Sequence, residues 1–272
     1  MTLRVHHLDC GSMCPLGGPL VGGTGSIFSR GVMPAHCLLI ETPSSGLVLI
    51  DTGFGLADLR DPKGRLGGPF SAMIKPPTDP AITAHEQVKK LGFDPKDVRH
   101  LVVTHLDLDH AGGLPDFPWA KVHVHATEKE AAYAPSFADR ERYRKVHFAH
   151  GPDFALYEAS GESWRGFGAV RDLAGLPPEI LAIPMPGHTR GHACIAVDRG
   201  DRWLLHAGDA YFARERLRGE KAPFGLQLFE RMVATDYRKV LDNHRCLGEL
   251  TSDPSVTVFS AHDPRELEAA RA

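Results

Sequence analysis

Short stretches rich in apolar residues, separated by Gly-rich turns, recur near the start of the chain, a pattern typical of β-strands. Three such stretches lie at 3–7, 35–41 and 47–51, and a Thr-Pro-Ser-Ser-Gly turn at 42–46 joins the last two. This order predicts an antiparallel start to a sheet. Later strands are predicted at 100–104, 121–125, 180–184, 193–197, 203–206 and 256–260.

Helical spacing of apolar positions occurs between these strands. Asp79 and Pro80 supply a cap and a first-turn proline for a helix over 80–91. The stretch 127–130 has the form of a capping box that opens a second helix. Further helices are predicted at 139–145, 226–247 and 264–270, with Leu228 and Met232 among the inward positions of the long one. No repeat or linker divides the chain, so we expect one α/β domain over 1–272.

Composition narrows the functional classes. Of the 272 residues, 42% are hydrophobic and 24% are charged, which are ordinary globular values. The formal net charge of −3 gives no electrostatic signature for binding nucleic acid or an anionic membrane. No apolar run approaches the roughly 18 residues that a membrane span requires. We therefore expect a small-molecule substrate, with no nucleic-acid or membrane partner, and a homodimer stays open.

The N-terminus and the cysteines bear on the compartment. The first ten residues contain no apolar segment between a basic start and a small-residue cleavage site, so no secretion signal is expected. The five cysteines are an odd number, widely spread and without a CxxC pair. These features predict free thiols and a cytoplasmic protein.

Histidine is the unusual residue, with 16 copies, and several lie in four segments rich in metal-ligand side chains. The segments are His105-Leu-Asp-Leu-Asp-His110, Pro186-Gly-His-Thr-Arg-Gly-His192, Gly208-Asp-Ala210 and Ala261-His-Asp263. Each follows a predicted strand, so their side chains can converge on one edge of a sheet. Imidazoles and carboxylates without thiolates are the ligand set of a hydrolytic site with one or two divalent metal ions.

Together these segments resemble the signature of the metallo-β-lactamase-fold hydrolase superfamily, which is HxHxDH followed by a distant histidine, a bridging aspartate and a last histidine. Val48–Gly53, Thr104, Gly112-Gly113 and the Pro-Gly-His-Thr segment look like that family as well. The resemblance covers about residues 35–262 and implies a four-layer αββα sandwich. It also implies two divalent metal ions, with zinc expected first and manganese or iron as alternatives.

The resemblance assigns ligands position by position. It implies that His105 and His188 bind one metal, that Asp109, His110 and His262 bind the other, and that Asp209 bridges the two. Asp107 stands where the family usually has a second histidine. Two roles stay open for it: an oxygen ligand of the first metal, or a replacement that leaves this metal weakly held and the site effectively mononuclear.

The best resemblance within the superfamily is to the branch of the N-acyl homoserine lactonases. It implies a metal-bound hydroxide that attacks a lactone or related ester, with Asp209 and Asp109 in the catalytic site and a helical lid at about 127–178. True β-lactamases of this fold do not use an aspartate at position 209 as a bridge. Tyr211 is a candidate oxyanion donor or leaving-group acid, although Phe212 follows it where the spacing differs from the lactonases.

Two other functions stay open, an iron oxidoreductase similar to the persulfide dioxygenases and a low-turnover ligand-binding regulator. The remaining polar candidates have simpler interpretations. Asp51 and His7 are expected to support ligand histidines from behind. His123, His125 and His192 are expected to be structural, and His147 and His150 to lie on a helix face.

Overall fold

The computed structural model describes residues 2–137, 139–159, 161–168 and 173–272. Its strands are β1 Arg4–Asp9, β2 His36–Glu41, β3 Leu47–Ile50, β4 Val98–Val102, β5 Lys121–His125, β6 Asp153–Tyr157, β7 Ser163–Trp164, β8 Phe167–Gly168, β9 Ile180–Pro184, β10 Ala193–Asp198, β11 Trp203–His206 and β12 Val256–Phe259. Its α-helices are α1 Leu56–Arg60, α2 Pro62–Leu66, α3 Gly68–Ile74, α4 Ala84–Lys90, α5 Leu108–Ala111, α6 Ala126–Tyr133, α7 Phe224–Val233, α8 Tyr237–Leu250 and α9 Pro264–Arg271. Single turns of 3₁₀ helix span Gly18–Val21, Pro80–Ile82, Pro95–Asp97, Leu114–Asp116, Lys145–His147 and Arg214–Arg216.

Two sheets carry the fold. The first has the strand order β1-β2-β3-β4-β5-β6, antiparallel from β1 to β3, as the sequence predicts, and parallel from β3 to β6. The second has the order β12-β11-β10-β9, in which only β11 and β12 are parallel. Strands β7 and β8 form a separate hairpin.

The inner faces of the two sheets pack against each other. Leu38 and Ile40 of β2 lie in one buried cluster with Ile195 and Val197 of β10. Because side chains alternate across a strand, Leu39 between them points to the other face, where it joins a cluster with α4 and α6. Helix α8 covers the outer face of the second sheet in the same way. This αββα order of layers confirms the predicted fold class.

The topology brings distant segments to one edge. The parallel strands β11 and β12 end at the same side of the second sheet, and the segments after them contain Asp209 and His262. Strand β4 ends beside them in the first sheet and leads into His105. Main-chain hydrogen bonds join these ends, from Ala193 to Thr104 and from Ala261 to Gly208.

The predicted helix at 226–247 is two helices, α7 and α8, separated at residues 234–236. The break has a physical cause, because Asp236 caps α8 by accepting hydrogen bonds from the backbone of Arg238 and Lys239. The prediction that Leu228 and Met232 of α7 point inward is wrong, since both side chains are exposed. The region 80–91, predicted as one helix, is a 3₁₀ turn followed by α4, because Thr83 caps a new helix.

The segment at 127–178 is helical only at its beginning, in α6. Its other described residues contain a 3₁₀ turn and β6, β7 and β8, and β6 extends the first sheet. The helix predicted at 139–145 is a series of turns in the residues that the structure describes. Helix α6 begins at Ala126 rather than at the predicted capping box, because His125 accepts the hydrogen bond of the Thr127 amide.

All five cysteines are free. In the described part of the chain, no helix has the length and apolar composition needed to cross a membrane.

Candidate metal centre

The residues after β4 form the floor of the site. Asp51, at the end of β3, accepts hydrogen bonds from the Thr104 amide at 2.7 Å and from the Thr104 hydroxyl at 2.8 Å. The hydroxyl in turn lies 2.9 Å from Nδ1 of His105. This chain of contacts fixes the buried His105 ring with Nε2 directed away from Thr104.

Asp51 holds a second ring. Its Oδ2 lies 2.8 Å from Nδ1 of His110, which therefore presents Nε2 to the other side. Burial raises the pKa of the Asp51 carboxyl, but His110 more than compensates and holds it below its ordinary value. Asp51 adopts a φ of 54°, which non-glycine residues rarely do and which often marks functional positions. The contact predicted between Asp51 and a candidate ligand histidine is present, and its role in supporting a metal ligand stays a prediction.

The other rings and the central aspartate come from three loops. Nδ1 of His262 donates to the Pro34 carbonyl at 2.7 Å. The backbone amide of Asp209 donates to Nε2 of His192 at 3.0 Å, so His192 supports Asp209. The His188 carbonyl accepts the Thr235 amide at 3.0 Å, so the break between α7 and α8 anchors the His188 loop.

These contacts gather six of the predicted ligands into two clusters. The first cluster comprises His105, His188 and Asp209, and the second cluster comprises Asp109, His110 and His262. In each cluster the three candidate ligand atoms lie within 4.8 Å of one another. The sequence prediction therefore placed these side chains together correctly, and their role as ligands stays a prediction.

Asp209 lies between the two clusters. Its Oδ1 is 3.1 Å from Nε2 of both His110 and His262, and its Oδ2 is 3.3 Å from Nε2 of His188. The two oxygens therefore face different clusters, as a bridging carboxylate requires. His105 lies somewhat farther off, with Nε2 at 3.9 Å from Asp209 Oδ2.

An unpaired buried atom indicates that these residues fit divalent metal ions. Nε2 of His105 is buried and has no hydrogen-bond partner among the described residues, since the nearest carboxylate oxygens, of Asp107 and Asp209, lie 3.5 and 3.9 Å away. Such groups are costly to bury unless another group satisfies them. Imidazole nitrogens with carboxylate oxygens suit zinc, and also manganese or iron.

The electrostatics favour cations as well. Burial lowers the pKa of His110, but Asp209, Asp109 and Asp51 together raise it well above its ordinary value. Burial raises the pKa of Asp209, but His262 and His110 hold it well below its ordinary range. Asp209 therefore stays ionised, and the same negative charge that raises the pKa of His110 would attract a dication.

Asp107 lies next to the first cluster but has an additional partner. Its Oδ2 is 3.1 Å from Nε2 of His188 and 3.5 Å from Nε2 of His105. It also accepts a hydrogen bond from Nη2 of Arg142 at 2.9 Å. Burial raises the pKa of Asp107, but Arg142 and His105 hold it well below its ordinary range. The sequence placed Arg142 in the helix predicted at 139–145, and nothing in its local pattern indicates this long-range contact.

Tyr211 is not brought to the site. Its ring is fully buried in the cluster under α8, and its hydroxyl donates to the Glu266 carboxylate, 3.0 Å from each oxygen. Phe212, the next residue, lies against the site instead. Its ring stacks on His262 with centroids 5.4 Å apart and meets His188 edge-on at 5.8 Å.

Several other histidines have structural partners. His7 pairs with His36 at 2.8 Å and touches neither cluster, so the support predicted from it is not there. His123 is buried beside His100, and His125 caps α6, in agreement with their predicted roles. His147 is fully buried 3.0 Å from Asp58 rather than on an exposed helix face.

Glu128 was missed because the sequence assigns it to the exposed start of a helix. It is fully buried, and its carboxylate accepts hydrogen bonds from the amides of Leu106 and Gly191, both at 3.0 Å. It also accepts the Tyr143 hydroxyl at 3.0 Å. Glu128 thus ties together the His105 loop, the His188 loop and the segment that holds Arg142.

A cavity of about 550 Å³ opens onto the site. Asp109, His188, Asp209 and His262 lie at its base. The apolar lining residues, most of which pack in one cluster, form what we call the apolar wall, and they are Met13, Phe70, Met73, Leu108, Phe212, Phe229, Met232 and Val233. The polar lining residues include Ser136, Asp139, Glu141, Arg142 and Arg190.

An αββα fold that gathers imidazoles and carboxylates at one sheet edge, below an open cavity, has the arrangement expected of a metal-dependent hydrolase. Residues 30–253 match the metallo-beta-lactamase superfamily, and the chain belongs to that superfamily as a metallo-hydrolase. The matched range contains every residue of the two clusters except His262.

Among similar proteins, a probable metallo-hydrolase of Mycobacterium tuberculosis is 42% identical over 273 residues, covering 99% of this chain and 83% of the relative. An N-acyl homoserine lactonase of Rhizobium johnstonii is 34% identical over 237 residues, covering 85% of this chain and 82% of the relative. The lactonases therefore share most of the length of this chain.

Solved structures share the fold at lower identity. An N-acyl homoserine lactone hydrolase, with the product N-hexanoyl-L-homoserine at its catalytic metal centre, has a TM-score of 0.75 and 21% identity, covering 99% of this chain and 97% of that chain. A dizinc quorum-quenching lactonase has a TM-score of 0.63 and 16% identity, covering 96% of this chain and 88% of that chain.

Proposed function

We propose that this metallo-hydrolase opens lactones, or hydrolyses closely related esters, that carry an apolar acyl chain. The observation that carries the proposal is the cavity, because candidate ligands and a group of apolar side chains line it together. A cavity of about 550 Å³ lies in the range of small-molecule sites. The similarity to N-acyl homoserine lactonases supports the same substrate class.

The apolar wall suits a hydrocarbon chain. Phe70 and Met73 come from α3, Met232 and Val233 from α7, and Met13 from the segment after β1. Met side chains adapt to flexible chains, and each buried methylene contributes about 0.8 kcal/mol. Polar side chains also line the cavity, so an amphiphilic ester can place its chain on the apolar wall and its polar groups against polar residues.

The residues at the base have separate tasks. His105, His188 and Asp209 would hold one metal ion, and Asp109, His110 and His262 the other. When bound, these ions supply Lewis-acid polarisation of the ester carbonyl and lower the pKa of water. Asp209 sets the spacing of the two clusters, since its two oxygens face different rings.

Asp109 is also suited to handle protons. Its carboxylate lines the cavity, with Oδ2 3.5 Å from Nε2 of His262. In ester hydrolysis, a bond forms between water oxygen and the acyl carbon, and the bond from that carbon to the alcohol oxygen breaks. Asp109 can accept the proton that water loses and return it to the alcohol oxygen, so the products are a carboxylic acid and an alcohol.

A substrate panel tests the proposal. Protein loaded with zinc or with manganese would be assayed on N-acyl homoserine lactones, simple lactones, linear esters, thioesters and phosphotriesters. We expect lactones with longer acyl chains to have the highest kcat/KM, rising up to about fourfold per added methylene. Replacing Met73 by Ser should reduce this chain-length dependence, whereas Met232→Leu should preserve it.

Three results would contradict the proposal. One is preference for thioesters or phosphotriesters over lactones. Another is oxygen consumption by the iron-loaded protein with persulfide substrates, as expected of the oxidoreductase alternative. The third is saturable lactone binding without turnover, as expected of a ligand-binding regulator.

A further inference from the structure

The Arg142 side chain lies against the first cluster. Its Nη2 donates to Asp107 Oδ2 at 2.9 Å, and its Nε lies 2.9 Å from Asp107 Oδ1. Its Nη1 donates to the His188 carbonyl at 3.2 Å. Only 14% of this side chain is exposed, so the interaction is shielded from solvent. The guanidinium is thus held on Asp107 and on the His188 loop at once.

The same guanidinium also touches the candidate ligand atom of His188. Nη2 of Arg142 lies 3.2 Å from Nε2 of His188. A guanidinium has five N–H donors and no acceptor, so its bond to this nitrogen occupies the lone pair of the ring, whereas Asp107 Oδ2, 3.1 Å from the same nitrogen, bonds to it only when the nitrogen carries a proton. A metal ion would need that lone pair. Arg142 and a metal in the first cluster therefore compete for His188, and their positive charges repel each other.

The position of Arg142 is fixed by its neighbours. Tyr143, the next residue, donates to Glu128, and Glu128 also accepts the amides of Leu106 and Gly191. Leu106 precedes Asp107, and Gly191 lies in the His188 loop. The backbone around Arg142 is therefore tied to both segments that its side chain contacts.

The second cluster has no such competitor. In the part of the chain that the structure describes, Asp109, His110 and His262 make no ion pair or hydrogen bond with a lysine or arginine side chain. Behind them lie a carboxylate and a carbonyl, which orient the rings without competing for Nε2.

We infer that Arg142 is a built-in competitor for the metal of the first cluster, and that Asp107 serves as its counter-ion rather than as a metal ligand. The two clusters would then fill in order, the second at a lower metal concentration than the first. The inference rests on the metal centre of the proposed function and deepens it. It selects the weakly held first metal from the two roles that the sequence leaves open for Asp107.

The alternative is that Asp107 is a ligand and Arg142 merely orients it. The two cases predict opposite changes in metal affinity when the Arg142 guanidinium is removed. Removing an orienting partner weakens metal binding by about 10- to 100-fold. Removing a competitor strengthens binding at the weaker site, because the His188 lone pair and the Asp107 carboxylate both become free.

The experiment measures metal affinity directly. Metal-free wild type, Arg142→Gln and the control Arg144→Gln would be titrated with zinc in competition with a chromophoric chelator. Arg144 is a matched control, since it contacts Glu141 and the Arg65 carbonyl and neither cluster. We expect wild type to show two zinc affinities that differ by at least about 10-fold. Arg142→Gln should raise the weaker affinity by about 10-fold or more and leave the tighter one within about threefold, and Arg144→Gln should change neither.

One further measurement and one substitute variant keep the test decisive. Anomalous diffraction at one equivalent of zinc should locate the ion among Asp109, His110 and His262. If Arg142→Gln does not fold, as judged by circular dichroism, Arg142→Lys replaces it, and the smaller cation should give a smaller gain at the same site.

A weaker or unchanged second zinc affinity in a folded Arg142 variant would overturn the inference. So would equal affinities in wild type, or a first zinc ion found at His105 and His188. The outcome is separable from the substrate proposal. Protein that shows the expected zinc affinities and hydrolyses no lactone would refute only the substrate, whereas failure to bind any metal would refute both.

Discussion

The two clusters contain similar side chains but differ in what surrounds them. In the second cluster, His110 and His262 are oriented by Asp51 and by the Pro34 carbonyl, at 2.8 and 2.7 Å from their Nδ1 atoms. In the first cluster, Nε2 of His188 itself lies within 3.2 Å of both Asp107 and Arg142. The second cluster is therefore arranged to bind a metal cation, whereas the first already has the Arg142 guanidinium cation against it.

The inferred difference between the clusters implies that a ligand motif alone does not determine metal affinity. The residues that hold or obstruct a ligand from behind decide how readily it binds a metal. Asp209 belongs to both environments, because its two oxygens face different clusters. Substituting Asp209 should therefore weaken metal binding more than substituting the residues that support the rings of either cluster from behind.

The largest effect is expected for Asp209→Ala. The variant should lose metal from both clusters, and kcat/KM should fall by more than about 100-fold, beyond the range for outer supports. Elemental analysis at a zinc concentration that saturates wild type, together with the ester assay, would measure this. Asp201→Ala, at an exposed turn, is the control. Retention of both metals with near-normal turnover would show that Asp209 does not bridge.

A smaller effect is expected at the supports behind the rings. Asp51 contacts His110 directly and reaches His105 through the Thr104 hydroxyl. Asp51→Asn should therefore weaken zinc binding at both clusters by about 10- to 100-fold. Thr104→Val should weaken only the first cluster. Chelator competition measures both constants, and equal losses at both clusters in Thr104→Val would contradict the separation.

Local patterns predicted much of this architecture. The bounds of β5, β9 and β11 agree with the strands predicted at 121–125, 180–184 and 203–206, because turn-forming residues delimit each apolar run. The cluster residues were identifiable because they directly follow strands, and strand ends converge at a sheet edge.

Long-range contacts explain what the sequence did not predict. Arg142 and Asp107 are 35 residues apart, and only the folded chain brings the guanidinium to the carboxylate. The break between α7 and α8 depends on hydrogen bonds from Thr235 and Asp236 to the carbonyls of His188 and Gly187. Those tertiary contacts override the continuous helical pattern at 226–247.

A third expected effect lies outside both clusters and concerns stability. Burial raises the pKa of Glu266 from 4.5 to about 7. Between these values the folded protein keeps a proton that the unfolded chain has lost, so folding stability falls as the pH rises through this window. One pKa unit corresponds to about 1.4 kcal/mol, and the residue keeps partial exposure, so the expected loss is roughly 2 kcal/mol.

Urea unfolding of wild type and Glu266→Gln from pH 4.5 to 7 measures this effect, since those limits bracket the Glu266 pKa shift. The variant cannot titrate at this position, so its free energy of unfolding should not show the corresponding fall as the pH rises. Parallel pH profiles for the two proteins would show that Glu266 has an ordinary pKa in the folded state.

The smallest effect on the site is expected for Tyr211→Phe. The Tyr211 hydroxyl contacts Glu266 rather than the cavity, and its ring is fully buried in the core under α8. Losing one buried hydrogen bond should cost about 1 kcal/mol of stability. Both zinc affinities, and kcat/KM on the best ester, should stay within about threefold of wild type, because neither cluster contacts this hydroxyl. A loss of about 100-fold or more in kcat, with unchanged zinc affinities, would instead restore Tyr211 as the acid or oxyanion donor.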